Sequence, residues 1–159
     1  MTDPAHATDA GAAAPAGRTP PAVGLLPRLL ALATAAYVCV LVYATHHPRP
    51  QELIGEGPGV PSDKTLHFVA YAVLGLLASA TLAAWRRWTL RGVALLAVGL
   101  VIFGAVDEAT QPLFGRYADL LDWFADCRGV LAGMLAVAAI LAAVAPRRPG
   151  GTVKTGDAP

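Results

Sequence analysis

The side chains able to transfer protons, pair with ions or recognise a polar head group fall in two short stretches. The first is "PSDKTLHFVAY", Pro61 to Tyr71. The second is "DEATQPLFGRYADLLDWFADCRG", Asp107 to Gly129. In the first, Asp63, His67 and Tyr71 recur at every fourth position, so a helix places them on one face, with Lys64 beside them. Either Ser62 or Asp63 suits the N-cap. In the second, Asp107 and Gln111 share a face, while Glu108 points about 100° away. Asp119, Asp122 and Asp126 follow at i, i+3 and i+7, with Leu120, Leu121 and Phe124 on another face. Arg116 precedes them and suits bidentate pairing with carboxylates; Arg128 is placed to pair with Asp126.

A histidine beside a carboxylate has a fixed tautomer and raised basicity, which makes it a general acid or base. The catalytic candidates are therefore His67, Glu108 and Asp107. Histidine with carboxylates is also a donor set for a divalent metal. Neither HExxH nor GxSxG occurs, and the hydroxyls near His67 are those of Ser62 and Thr65. Cys127 is a nucleophile only as a thiolate, which the nearby aspartates oppose. No metal and no cofactor is assigned from the sequence.

Carboxylates in apolar surroundings need a scaffold to hold them. The chain has 159 residues, 55% hydrophobic and 14% charged, where a soluble domain carries about 25% charged residues. Its mean hydropathy is +0.53. Net charge is +1, and no basic run alternates with aromatics, so nucleic acid is excluded as a partner. Cys39 and Cys127 make neither a disulfide framework nor a zinc motif. Residues 1–24 and 146–159 are Ala-, Pro- and Gly-rich and are expected to be disordered tails.

Between them lie four apolar runs, Leu25 to Thr45, Leu66 to Ala84, Val93 to Val106 and Val130 to Ala145. A membrane helix takes about 20 apolar residues. The first two runs meet this length. The third reaches it with Arg91 and Gly92 and by continuing into Asp107 and Glu108, the fourth by starting near Trp123. The runs are apolar all round rather than striped, which argues against a soluble bundle. The expected fold is all-α, an integral membrane bundle of four transmembrane helices over residues 25–145. The first run is longer than a signal-peptide core of about 7–15 residues, so an uncleaved helix is expected. Gly75, Ala78, Gly99, Gly104, Gly129 and Gly133 are small enough for close helix packing.

Four spans put both termini and the "WRRWTLR" loop on one side. That side carries Arg18, Arg28, Arg86, Arg87, Arg91, Arg147, Arg148 and Lys154, against Arg49, Lys64, Arg116 and Arg128 on the other. Basic loops stay cytoplasmic. Both termini are therefore expected inside and the acidic stretch outside. Pro112 prevents the third helix from continuing regularly into that stretch.

"DKTLHFVAYAVLG" (Asp63 to Gly75) and the second stretch resemble, in order, the two signatures of the VanZ-like family of bacterial membrane proteins. The resemblance covers about residues 30–145. The matching positions are Asp63, Lys64, His67, Phe68 and Tyr71, then Asp107, Glu108 and Gln111, then Arg116, Asp122 and Gly129. The family often has Asn where this chain has Asp126, and Arg128 is more polar than the pattern suggests. The resemblance implies a bacterial cytoplasmic membrane, with membrane lipids and a cell-wall or lipid-linked precursor as partners. It also implies a link to low-level resistance to the glycopeptide teicoplanin.

Four functional readings follow. The first is an outward polar cluster that binds or acts on a cell-envelope component, with Arg116 and Lys64 among carboxylates. The second is a membrane-embedded enzyme acting on a lipid or lipid-linked head group through His67. An ion-coupled transporter is the third, although no ionisable residue bridges the midplane between Gly92 and Val106 or between Val130 and Ala145. The fourth is a polar network that fixes helix register.

Overall fold

The computed structural model of the protein describes residues 24–49, 51–55, 57 and 59–146. Apart from Gly24 and Pro146, the two expected tails lie outside these residues. The chain forms α1 (Leu25–Thr45), a single turn α2 (Gln51–Ile54), α3 (Asp63–Ala84), α4 (Leu90–Thr110), a 3₁₀ turn (Gln111–Phe114) and α5 (Leu120–Val144). Among the described residues there is no strand.

Each boundary has a local cause. Ser62, rather than Asp63, caps α3: its Oγ accepts the Thr65 N–H at 3.2 Å. Thr89 caps α4 by accepting from Gly92 at 3.1 Å. Pro112 lacks an N–H, so α4 tightens into the 3₁₀ turn and stops at Gly115, whose φ of 79° favours glycine. Asp119 caps α5.

Four helices are long and apolar enough to cross a membrane: α1, α3, α4 continued through Phe114, and α5. Their exposed surface is built from Leu32, Leu95, Val98, Ile102, Leu131, Leu135 and Ile140, among others. Eight buried hydrophobic residues are matched by eight buried polar or charged ones. An apolar exterior around a partly polar interior is the reverse of a water-soluble bundle. It is the arrangement expected where the solvent is lipid.

α3 occupies the centre. α5 packs most extensively on it, α1 lies on its other side, and α4 leans chiefly on α5. α3 and α5 run parallel: Gly129 meets Phe68 and Ala72, and Gly133 meets Ala72 and Leu76. These two glycines, one helical turn apart, let backbone touch backbone. A Cβ on Gly129 would strike the Phe68 carbonyl oxygen, and one on Gly133 the Ala72 carbonyl oxygen. Gly75 meets the Val130 carbonyl oxygen, at 2.6 Å from where its own Cβ would stand. Apolar helices gain little by leaving lipid for one another, so such close van der Waals contact carries the association. Gly104 lies against Tyr71, Asp126 and Trp123, and Ala78 is buried. Gly99 is different: nothing would contact its Cβ within 4 Å, so it packs against no other helix. Leu41, Tyr71, Leu74, Val130 and Met134 fill the core.

Candidate functional site: a buried acid–histidine cluster

Two helix ends and two helix beginnings, far apart in the chain, converge in one layer at one end of the bundle. The C-terminal ends of α1 and α4 meet the N-terminal ends of α3 and α5. Asp107, Glu108, Gln111, Asp122 and Asp126 are all buried, as are His67 and Tyr71. Asp107 and Glu108 thus face into the bundle rather than marking its water boundary.

His67 is the centre. Its Nδ1 lies 2.9 Å from Asp126 Oδ1 and 3.8 Å from Glu108 Oε1. Glu108 is held twice more. The Gln111 side-chain amide donates to Oε1 at 2.7 Å, and the Asp119 backbone N–H donates to Oε2 at 2.9 Å. The sequence spacing paired Gln111 with Asp107 on one face, but the bond goes to Glu108. Both helical pairings place side chains within reach, and burial of all three residues brings Glu108 to the amide.

Asp107 turns to α1 instead. Thr45 Oγ1 donates to its Oδ1 at 2.9 Å, and His46 Nδ1 lies 3.5 Å from the same oxygen. His46 Nε2 is 2.9 Å from Thr110 Oγ1, and its ring meets Phe114 edge-on. Thr45, His46 and Thr110 belong to the cluster and were not singled out from the sequence. The signal available was slight: Thr45 and His46 end the first apolar run.

Lys64 joins two acids, donating to Asp119 Oδ2 at 2.7 Å and to Asp122 Oδ1 at 2.9 Å. Asp119 is not on a shared helical face with Asp122 and Asp126. Its backbone is extended, with φ −123°, and its side chain caps α5 by accepting from the Leu121 N–H at 2.8 Å. The Lys64 ammonium, with help from that N–H, holds the Asp119 carboxyl below the ordinary carboxylate range. Leu120, Leu121 and Phe124 face outward, as the pattern required.

Arg116 makes one ion contact among the described residues, 3.5 Å from Asp63 Oδ2. This is a single loose contact, not the bidentate pair expected: Asp63 is half-exposed while the Arg116 side chain is largely buried. Arg128 does not reach Asp126. Its Nε donates to the Phe124 carbonyl at 3.2 Å, because Asp126 points inward and Arg128 outward on α5. Cys127 is half-buried and Cys39 exposed.

A cleft of about 300 Å³ opens between α1, α3 and the loops at the polar end of the bundle. Tyr37, Leu41, Leu66 and Val69 give it apolar walls, and Asp63, His67 and Arg116 line it as polar groups. His67 and Thr45 are shared by the cleft and the buried acid cluster.

Several polar atoms here are buried without a hydrogen bond: Tyr71 Oη, Asp107 Oδ2 and Asp126 Oδ2. Two overlapping sets bring potential metal donors within 4.8 Å of one another, His67–Glu108–Asp126 and Asp63–His67–Asp122. The arrangement can orient an imidazole, hold a cation, or present Arg116 and His67 to a head group. Compared with protein-family models, curated proteins and solved structures, the chain gives no match, so the VanZ-like resemblance rests on the residues quoted for it.

Proposed function

We propose that this is a multi-pass protein of the bacterial cytoplasmic membrane that binds the anionic head group of a lipid or lipid-linked envelope component. Both termini are cytoplasmic and the cluster faces outward. The observation that carries the reading is the cleft beside Arg116. It offers apolar walls at the depth of the spans and a largely buried guanidinium with one loose partner. An amphiphile with an anionic head satisfies both parts at once: its chain lies along Leu41, Leu66 and Val69, and its phosphate takes the donors of Arg116. The orientation rests on the basic "WRRWTLR" turn at the opposite end of the bundle. The resemblance to the VanZ-like family adds the expectation of an effect on glycopeptide susceptibility.

The test is a competition. Purified protein in neutral detergent is offered equal amounts of phosphatidylglycerol and phosphatidylcholine, and the bound lipid is read by native mass spectrometry. Preference for the anionic lipid, lost in Arg116→Gln, is the expected result. Equal binding of both lipids, or an unchanged preference in the variant, refutes the reading.

A second reading is favoured by one observation. His67 holds Asp126 through Nδ1 at 2.9 Å and also lines the cleft, the geometry of an oriented general base. On this reading the protein is an enzyme acting on the head group itself. Head-group release from labelled envelope lipids that disappears in His67→Gln would favour it; no release from the unaltered protein removes it.

A further inference from the structure

The proposed head-group site uses Arg116 and the cleft. It leaves unexplained the most buried part of the molecule. Asp107, Glu108 and Asp126 are carboxylates at 3%, 5% and 1% exposure. Within salt-bridge distance, none of the three meets a lysine or an arginine among the described residues. Lys64 is taken by Asp119 and Asp122, and Arg116 by Asp63. The nearest partners able to carry positive charge are the imidazoles of His46 and His67. Isolated carboxylates are not stable inside a bundle surrounded by lipid; they are paired, protonated or bound to a metal.

The geometry selects among these. His67 Nδ1, Glu108 Oε1 and Asp126 Oδ1 converge from three different helices. Donor atoms sharing one cation at about 2.0–2.2 Å stand roughly 3.0–3.5 Å apart. Here the histidine nitrogen is 2.9 Å from Asp126 and 3.8 Å from Glu108, which brackets that spacing. One of the three ligands, Glu108, is also oriented by neighbouring donors, as metal ligands are. Gln111 and the Asp119 N–H fix both oxygens of Glu108. Besides the convergence of donor atoms, Asp126 Oδ2 is buried, on a residue at 1% exposure, and has no hydrogen-bond partner. One oxygen of this carboxylate lies on His67 and the other is left without a donor. The competing set, Asp63–His67–Asp122, is weaker because both its acids already have cationic partners, Arg116 and Lys64.

We propose that His67, Glu108 and Asp126 bind a divalent cation. One imidazole and two carboxylates form a mixed nitrogen–oxygen set, which suits a borderline cation such as Zn²⁺. Three protein ligands leave at least one coordination position for water or for a ligand oxygen. The cation ties α3, α4 and α5 together at one point and offsets the charge of the buried acids. It does not depend on whether the cleft binds a lipid.

The probe is Zn²⁺ itself, added to full-length protein in detergent after chelation and desalting. Elemental analysis should find about one equivalent retained, as for a three-ligand site. Retention should fall at least about tenfold in Asp126→Asn and in Glu108→Gln, and stay unchanged in Asp63→Asn. Circular dichroism and gel filtration check that each variant is folded. A second measurement needs no variant. The chain has four histidines, and with ¹⁵N-histidine labelling one equivalent of Zn²⁺ should shift one imidazole at Nδ1. Failure to retain Zn²⁺, equal retention in folded variants, or a shift at Nε2 alone overturns the proposal.

Discussion

Lys64 Nζ stands between Asp119 and Asp122, 2.7 Å from one and 2.9 Å from the other. One lysine near the start of α3 thus fixes both the cap and the first turn of α5. The tether crosses the parallel helix pair at its polar end, and Asp119 also reaches Glu108 through its backbone N–H. The loop after α4 is therefore closed over the cluster by an ion pair.

That closure should respond to acid. Asp119 is held below its ordinary value, first by Lys64. A depressed carboxylate contributes stability above its unfolded pKa and loses it as pH falls through the folded one. The contribution should be constant from neutrality down toward 3.8, the ordinary value, and disappear below it. Hydrogen exchange at the Asp119–Leu121 amides should accelerate in that acid window. In Lys64→Met the same amides should exchange fast at neutral pH and change little on acidification. Protection that is equal in both proteins at pH 7 would contradict the tether.

The glycine contacts make a sharper mechanical prediction. Gly133→Ala should lower stability in detergent by about 1–3 kcal/mol, the range for forcing extra atoms into a packed interface, because backbone carbonyls cannot step aside. Gly129→Ala should behave alike. Gly99→Ala should be neutral or stabilise by up to about 1 kcal/mol through helix propensity. Thermal unfolding of the three variants side by side checks the ranking, and equal loss at Gly99 and Gly133 would contradict the packing.

Breaking the central pair should cost more than breaking a surface one. Asp126→Leu leaves a buried imidazole without its partner, a change worth about 3–5 kcal/mol in buried pairs. Arg49 and Glu52 form an exposed pair at 2.8 Å; Glu52→Gln should cost less than about 1 kcal/mol. Chemical unfolding in mixed micelles separates the two. Similar losses would place the His67–Asp126 pair at the surface in solution.

Orientation can be read at two exposed positions. Tyr117 in the loop between α4 and α5 is 92% exposed and Leu90 at the opposite end of the bundle is 90% exposed. In a background lacking Cys39 and Cys127, Tyr117→Cys should react with an impermeant maleimide on cells whose outer layers are permeable. Leu90→Cys should react only after the cytoplasmic membrane is opened. The reverse order would invert the topology and remove the envelope reading with it.

Much of this architecture was legible in the sequence because one-dimensional signals suffice for it. Span length and uniform apolarity located α1, α3, α4 and α5, and the capping residues refined their ends. The stripe of His67 and Tyr71 followed from helical periodicity. What periodicity misjudged were positions where the helix had not begun or where a neighbour decided the partner. Asp119 fell outside α5, so its spacing to Asp122 meant nothing about faces. Gln111 bonds Glu108, three residues back, rather than Asp107, which turns to Thr45 on α1. Gly99 resembled Gly133 in type, yet only the second lies at a helix crossing. Thr45 and His46 joined the cluster through contacts 62 residues away or more, which no local pattern carries.

The parallel pairing of α3 with α5 also dictates the order of biogenesis. α3 leaves the ribosome with His67 and Lys64 already in place, while their partners Asp119, Asp122 and Asp126 are still unmade. The intervening α4 makes only a slight interface with α3 and cannot shelter them. A nascent chain ending at Thr110 would hold most of the spans and none of the backbone groove that locks them. Maturation therefore waits on the final helix, and a truncated product should present bare ionisable groups to whatever machinery surveys the bilayer for unfinished proteins.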